Sequence, residues 1–229
     1  ELHPLESIQV PTTTINDLED IPTVGKKRAL SAVTAGTHAH VTQNGQWTKA
    51  VQAYLASISF VDHQVGRLID CLKRTSHADN TLIVLFSDHG WHLGEKQAWG
   101  KQTGWIHSTQ VPLIFCGPTI QANALCEETV SLLDLFPTLS EVAGFPTTGL
   151  DGVSLAHLLR NPAHITDRVV KTHINSEDFV LSSKQYRYIH YGDGSEELYD
   201  VKNDPREYRN LAGSPNSQKI ITALQGNLR

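Results

Sequence analysis

An aspartate and a histidine stand side by side at the end of an apolar run, in Ser87-Asp88-His89-Gly90-Trp91-His92-Leu93-Gly94-Glu95-Lys96. A carboxylate is a hard oxygen ligand and an imidazole offers a nitrogen, so Asp88 and His89 can reach one cation where the backbone turns sharply. Gly90 permits such a turn. Trp99-Gly100-Lys101 follows. An amine beside a cation can hold a tetrahedral oxyanion between two positive charges, which suits sulfuryl or phosphoryl transfer. The plainer reading of Asp-His-Gly is a turn in which Asp88 caps the next segment. Trp91, Trp99, Trp105 and His107 fall in the same stretch. Their rings suit sugar faces and cationic head groups, or they pack the loop onto the body. His107 is a candidate for contact with a leaving group. The candidates are therefore Lys101 and His107 for catalysis, Lys101, Trp91 and Trp99 for substrate, and Asp88 and His89 for metal.

The flanking segments would position these residues. Thr81 to Ser87 is nearly all apolar and rich in β-formers. Residues 48–75 repeat Val51, Tyr54, Leu55, Ile58, Val61, Val65, Leu68, Ile69 and Leu72 at three- and four-residue steps, which predicts an amphipathic helix. A long helix followed by a continuous apolar strand predicts an α/β unit with a buried, largely parallel sheet. Asp88 and His89 then fall just beyond the carboxyl end of a strand, where such sheets bind ligands. Residues 111–116 read as a further strand. Residues 129–143 read as a helix, with Pro137 as a kink or restart and Gly144 as the stop.

Residues 1–28, broken by Pro4, Pro11 and Pro22, read as an irregular lead-in lying over a larger body. Lys26-Lys27-Arg28 reads as a solvated helix start. Composition shifts near residue 165. Short strands are predicted over 169–174, 179–183, 186–191 and 197–201, with a hairpin turn at Gly192-Asp193-Gly194 and a short helix within 216–228. The expected division is 1–165 and 166–229.

The 229 residues suffice for one large domain, or a main domain with a small appendage. Hydrophobic residues make up 39% and charged residues 19%, which excludes disordered, collagenous and disulfide-scaffold classes. Net charge is −5 and no basic block exists, which argues against nucleic acid. No apolar run is long enough to cross a bilayer. Cys71, Cys116 and Cys126 have no metal-knuckle spacing. Glu1-Leu2-His3-Pro4 is neither a signal nor a transit peptide, and with no Met in the chain the expectation is a processed or partial polypeptide. Of the 12 histidines, His38, His40 and His63 read as solvated, and His92 as structural or exposed.

The text from Ser87 to Lys96, Trp99-Gly100-Lys101 and Ser108-Thr109-Gln110-Val111-Pro112-Leu113-Ile114 resembles the sulfatase family, in its iduronate-2-sulfatase and choline-sulfatase-like branch. Tyr54 to Asp62, Ser195 to Asp200, Asn203-Asp204-Pro205 and Asn210-Leu211 extend the similarity from about residue 1 to about residue 213. The resemblance implies an alkaline-phosphatase-like mixed sheet sandwiched by helices, with a small C-terminal antiparallel sheet. Residues 1–165 would be the C-terminal portion of the catalytic α/β domain, and 166–229 the small β subdomain with its helix. Asp88 and His89 would ligate a divalent cation, usually calcium, and Lys101 would contact the sulfate ester. Many relatives carry Asn where His89 stands.

The family nucleophile, a Cys or Ser in Cys-x-Pro-x-Arg that matures to formylglycine, is absent from this chain, as is the strand with two metal-binding aspartates. Cys116-Gly117-Pro118-Thr119-Ile120 has the Cys-x-Pro core but Ile120 in place of arginine, and it reads as a strand end and turn. The expectation is the C-terminal half of a sulfuric ester hydrolase acting on a sulfated sugar or small organic sulfate. It would be inactive alone and partnered by an N-terminal half of the same enzyme. The relatives' compartments are periplasmic, secreted or lysosomal. The alternatives are a phosphate or phosphonate ester hydrolase of the same superfamily, and a non-catalytic binding module.

Overall fold

A computed structural model describes residues 2–32, 36–146 and 148–228. Helix α1 (Thr23–Ala29), α2 (His38–Gln43) and α3 (Trp47–Lys73) lead into β1 (Ile83–Phe86). A short ribbon of β2 (His92–Leu93) and β3 (Trp99–Gly100) follows, then α4 (Ile106–Thr109) and β4 (Leu113–Cys116). Next come α5 (Leu135–Val142) and α6 (Ala156–Arg160). Strands β5 (Val170–His173), β6 (Phe179–Ser182), β7 (Tyr186–His190) and β8 (Glu196–Asp200) form an antiparallel meander, and α7 (Ser217–Gly226) closes it. Among the described residues no helix is long and apolar enough to cross a membrane.

The helical and strand periods place these elements close to their expected bounds. Pro137 sits in the first turn of α5, where its missing N–H costs nothing, and Gly144 ends that helix at φ +78°. The expected parallel sheet is not what forms around β1. Its neighbour is β4, antiparallel, with Ile83 opposite Cys116 and Phe86 opposite Leu113. Leu85, Phe86 and Ile114 remain 39%, 48% and 53% exposed. A continuous apolar run signals burial on both faces, but among the described residues this strand pair stays partly in water. The same holds for α3, in which only Val51 is buried while Ile58, Phe60, Val61 and Leu68 are exposed.

The meander is different. Alternation puts Val180, Arg187, Ile189, Glu197 and Tyr199 on one face, packed with Ile21, Ala29, Ala98 and Trp105. The other face carries Leu181, Tyr188 and Leu198, covered by Ile221 and Leu224 of α7. Leu228 forms a parallel bridge back to Val169 at the head of the sheet. The first core thus draws on residues from both sides of position 165.

The lead-in does run over the body. Gln52 donates to the His3 carbonyl, Tyr208 donates to the Thr12 carbonyl and the Asn210 amide donates to Asp20. Lys26-Lys27-Arg28 lies in the last turn of α1, not its start. Arg28 is not a free solvated charge, because it pairs with the buried Asp178 and donates to the Gln102 carbonyl.

Candidate functional site

Asp88, His89 and Lys101 line one cleft of about 1220 Å³, together with Gln102, Thr103 and Ser108. Asp88 and His89 leave the carboxyl end of β1. His89 Nδ1 lies 2.8 Å from the Gly90 carbonyl, so that nitrogen donates to it and Nε2 is the one left for a ligand. Nε2 lies 3.6 Å from an Asp88 oxygen. Two donors at right angles around one oxygen-preferring cation stand roughly 3.3–3.7 Å apart. The pair therefore fits one side of a divalent coordination shell. Among the described residues no group of three metal-ligating side chains forms, so the shell is incomplete here.

Gly90 serves close approach more than a special turn. A Cβ at that position would sit 2.0 Å from the His107 carbonyl oxygen, and the Gly90 amide donates to the Ser108 carbonyl at 2.9 Å. Only glycine lets the strand end rest on α4 this closely. That contact joins the Asp88/His89 pair to the loop bearing Lys101. Lys101 is exposed and has no ion-pair partner among the described residues.

The remaining candidates separate. Trp91 is half-buried, its ring centroid 6.3 Å from that of His89. Trp99 does not line the cleft. It is 4% exposed and its indole N–H donates to His38 Nδ1 at 3.2 Å, so packing replaces the expected substrate contact. His38 is correspondingly not a solvated residue, since it packs edge-on against Trp47 with centroids 4.6 Å apart. His107 also lies outside the cleft lining, its ring 5.4 Å from His92 and its Nδ1 4.0 Å from Glu95. Cys116 closes β4 and is a free exposed thiol.

Behind Lys101 lies a buried polar seam that the sequence does not advertise. His92 is fully buried. Its Nε2 meets Thr103 Oγ1 at 2.9 Å, and Thr103 meets Ser108 at 2.7 Å. Burial lowers the His92 pKa to about 3, so the ring is neutral, and its Nδ1 has no hydrogen-bond partner among the described residues. Lys96, 3% exposed, donates to Asp17 at 2.9 Å and to the Glu207 carbonyl at 2.5 Å. Glu197 accepts from the Trp105 indole at 2.8 Å, from Tyr191 at 2.6 Å and from Tyr199. Burial pushes the Glu197 and Glu207 carboxyls up. The available signal was parity: Arg187 and Glu197 alternate in step with the buried Ile189 and Tyr199.

Comparison with known proteins identifies the family. The model of the family described as Sulfatase matches residues 12–145, and that described as N-sulphoglucosamine sulphohydrolase, C-terminal, matches residues 94–229. A sulfatase of Formosa agariphila is 38% identical over 226 residues, covering 98% of this chain and 44% of its own length. A choline-sulfatase of Rhizobium meliloti is 36% identical, covering 76% of this chain and 36% of its own. A structure solved in complex with its substrate, D-glucosamine-2-N,6-O-disulfate, superposes with a TM-score of 0.69 at 28% identity, over 79% of this chain and 40% of that one. The chain spans less than half the length of each of these three.

Proposed function

The chain belongs to the sulfatase family, and from that premise we propose that it supplies one side of a metal-assisted sulfuric ester hydrolase site. The observation that carries this reading is the shared cleft, where a preoriented carboxylate–imidazole pair and an unpaired lysine face the same space. Asp88 and His89 hold a divalent cation, calcium by the family's habit. That cation, when bound, supplies charge that polarises the sulfate ester. Lys101 offers its ammonium to sulfate oxygens, where negative charge grows as the ester bond breaks. Trp91 stands beside His89 but does not line the cleft, and it is assigned no contact with the substrate. Trp99 and His107 have no part in this assignment, because neither lines the cleft.

The substrate is a sulfated sugar or small organic sulfate. The formylglycine nucleophile and the remaining oxygen ligands come from an N-terminal half, in keeping with relatives more than twice as long. The uncovered faces of β1, β4 and α3 are where that half packs. Residues 1–165 then complete the catalytic α/β body and 166–229 form its small β subdomain. The compartment is periplasmic, secreted or lysosomal.

The test is reconstitution. The purified chain alone is expected to show no turnover of an aryl sulfate. Joined to the upstream half of its own enzyme, it is expected to hydrolyse sulfate esters with a divalent ion present, and Lys101→Ala should lower kcat/KM by about a hundredfold. A complete enzyme that cleaves phosphate or phosphonate monoesters but no sulfate ester would overturn the reading. So would turnover by this chain alone.

A further inference from the structure

The loop from Lys101 to Thr109 is fastened from behind by side chains that are charged and buried. The Ile106 amide, at the start of α4, donates to Glu207 Oε2 at 2.8 Å. The other Glu207 oxygen lies 2.8 Å from Arg187 Nε, and Arg187 Nη1 donates to Thr109 Oγ1 at 2.5 Å. One carboxylate and one guanidinium thus clasp α4 at both ends. Just before α4, Gly104 lies flat on the meander, where a Cβ would meet Val180 at 2.9 Å and Ile189 at 3.0 Å.

Glu207 is 1% exposed and does not line the cleft. Its backbone takes φ +57°, a left-handed conformation that strains any residue but glycine. A carboxylate placed in such a position and removed from water is a poor device for stability, since an apolar side chain fills the same volume at lower desolvation cost. One of its oxygens accepts from the amide of Ile106, and the other lies against the Arg187 guanidinium as an ion pair without a hydrogen bond.

We infer that Glu207 is a positioning residue, which through Ile106 and Arg187 fixes the loop that presents Lys101 to the sulfate oxygens. This rests on the assignment of Lys101 proposed above.

Amide hydrogen exchange on the full chain tests the clasp. Glu207→Gln keeps an oxygen for the Ile106 amide and removes the charge, whereas Glu207→Ala removes both. Exchange over 101–109 is expected to accelerate about tenfold in the alanine variant and about threefold in the glutamine variant, with α7 on the far face changing less than twofold. Uniform acceleration, or none at 101–109, overturns the inference. Should the alanine variant not fold, Thr109→Val cuts only the Arg187 arm. It is expected to accelerate 101–109 about threefold, and no change there counts equally against the clasp.

In the reconstituted enzyme, Glu207→Gln is expected to lower kcat about tenfold with KM within twofold. An unchanged kcat refutes the positioning role. A wild-type enzyme with no sulfate turnover refutes the assignment of Lys101 itself, and the exchange pattern keeps the two failures apart.

Discussion

The two walls of the Asp88/Lys101 cleft are held by opposite means. On the β1 side, the strand that delivers Asp88 and His89 leaves Leu85 and Phe86 substantially in water. On the Lys101 side, the supporting sheet buries Val180, Ile189, Tyr199 and even the carboxylate of Glu197 to complete exclusion. An apolar side chain left exposed forgoes about 1.5–3 kcal/mol of burial. The first wall is therefore a surface still to be covered, and the second is a finished scaffold. In the proposed role, Lys101 meets a sulfate oxygen, and such a lysine needs its loop fixed in advance. A cation pair can be set when the rest of the coordination shell arrives.

That contrast breaks most easily at Glu197. Replacing it with Leu strands the Trp105, Tyr191 and Tyr199 donors, and urea unfolding should show a loss of about 3–5 kcal/mol. A loss below about 1 kcal/mol would mean the seam is not what holds this wall. Gly90→Ala attacks the point where the walls touch. Its methyl group meets the His107 carbonyl oxygen, and a loss of about 2–3 kcal/mol is expected from the same measurement.

Acid sharpens the comparison further. The neutral ring of His92 has its pKa lowered to about 3 by burial, against an ordinary value of 6.5. The unfolded chain therefore binds this proton first. The stability His92 confers is complete above pH 6.5 and is lost as pH falls toward 3, about 2 kcal/mol of it by pH 5. Glu197 and Glu207, raised by burial, act in the opposite sense, losing stability as pH rises through their shifted values. Comparison with His92→Gln isolates the histidine, because that variant should show a flatter stability profile between pH 6.5 and 5. The smallest effect belongs to the open wall. Phe86→Ser should alter the stability of the chain by no more than about 0.5 kcal/mol while reducing its self-association in sedimentation. A large loss there would show that Phe86 is already covered.

Much of the architecture was legible because it rests on local rules. The three- and four-residue spacing from Val51 to Leu72 specified α3, Gly192-Asp193-Gly194 specified the β7–β8 turn, and Gly144 marked the end of α5. The strand direction around β1 was not legible, since an apolar run records burial and not the identity of its neighbour. Asp88, His89 and Lys101 were found together because a strand end and a nearby glycine-lysine pair place them by short-range geometry. Trp91, Trp99 and His107 fall outside the cleft lining, because side-chain direction in an irregular loop is set by contacts distant in sequence, such as His38 with Trp99. The buried charges escaped for a related reason. Both faces of the meander are covered, so the parity that aligns Arg187 and Glu197 with Ile189 and Tyr199 does not by itself mark them as buried, and Glu207 pairs across 101 residues.

Helix α7 carries one more consequence. It follows in the chain everything it covers, so during synthesis Leu181, Tyr188 and Leu198 remain bare until Ile221 and Leu224 emerge. That face of the meander stays uncovered until then, and the sheet on which the Lys101 loop is laid lacks its backing. The support behind the Lys101 loop is therefore completed late, and a ribosome stalled before residue 221 would display a greasy ribbon for chaperones to hold.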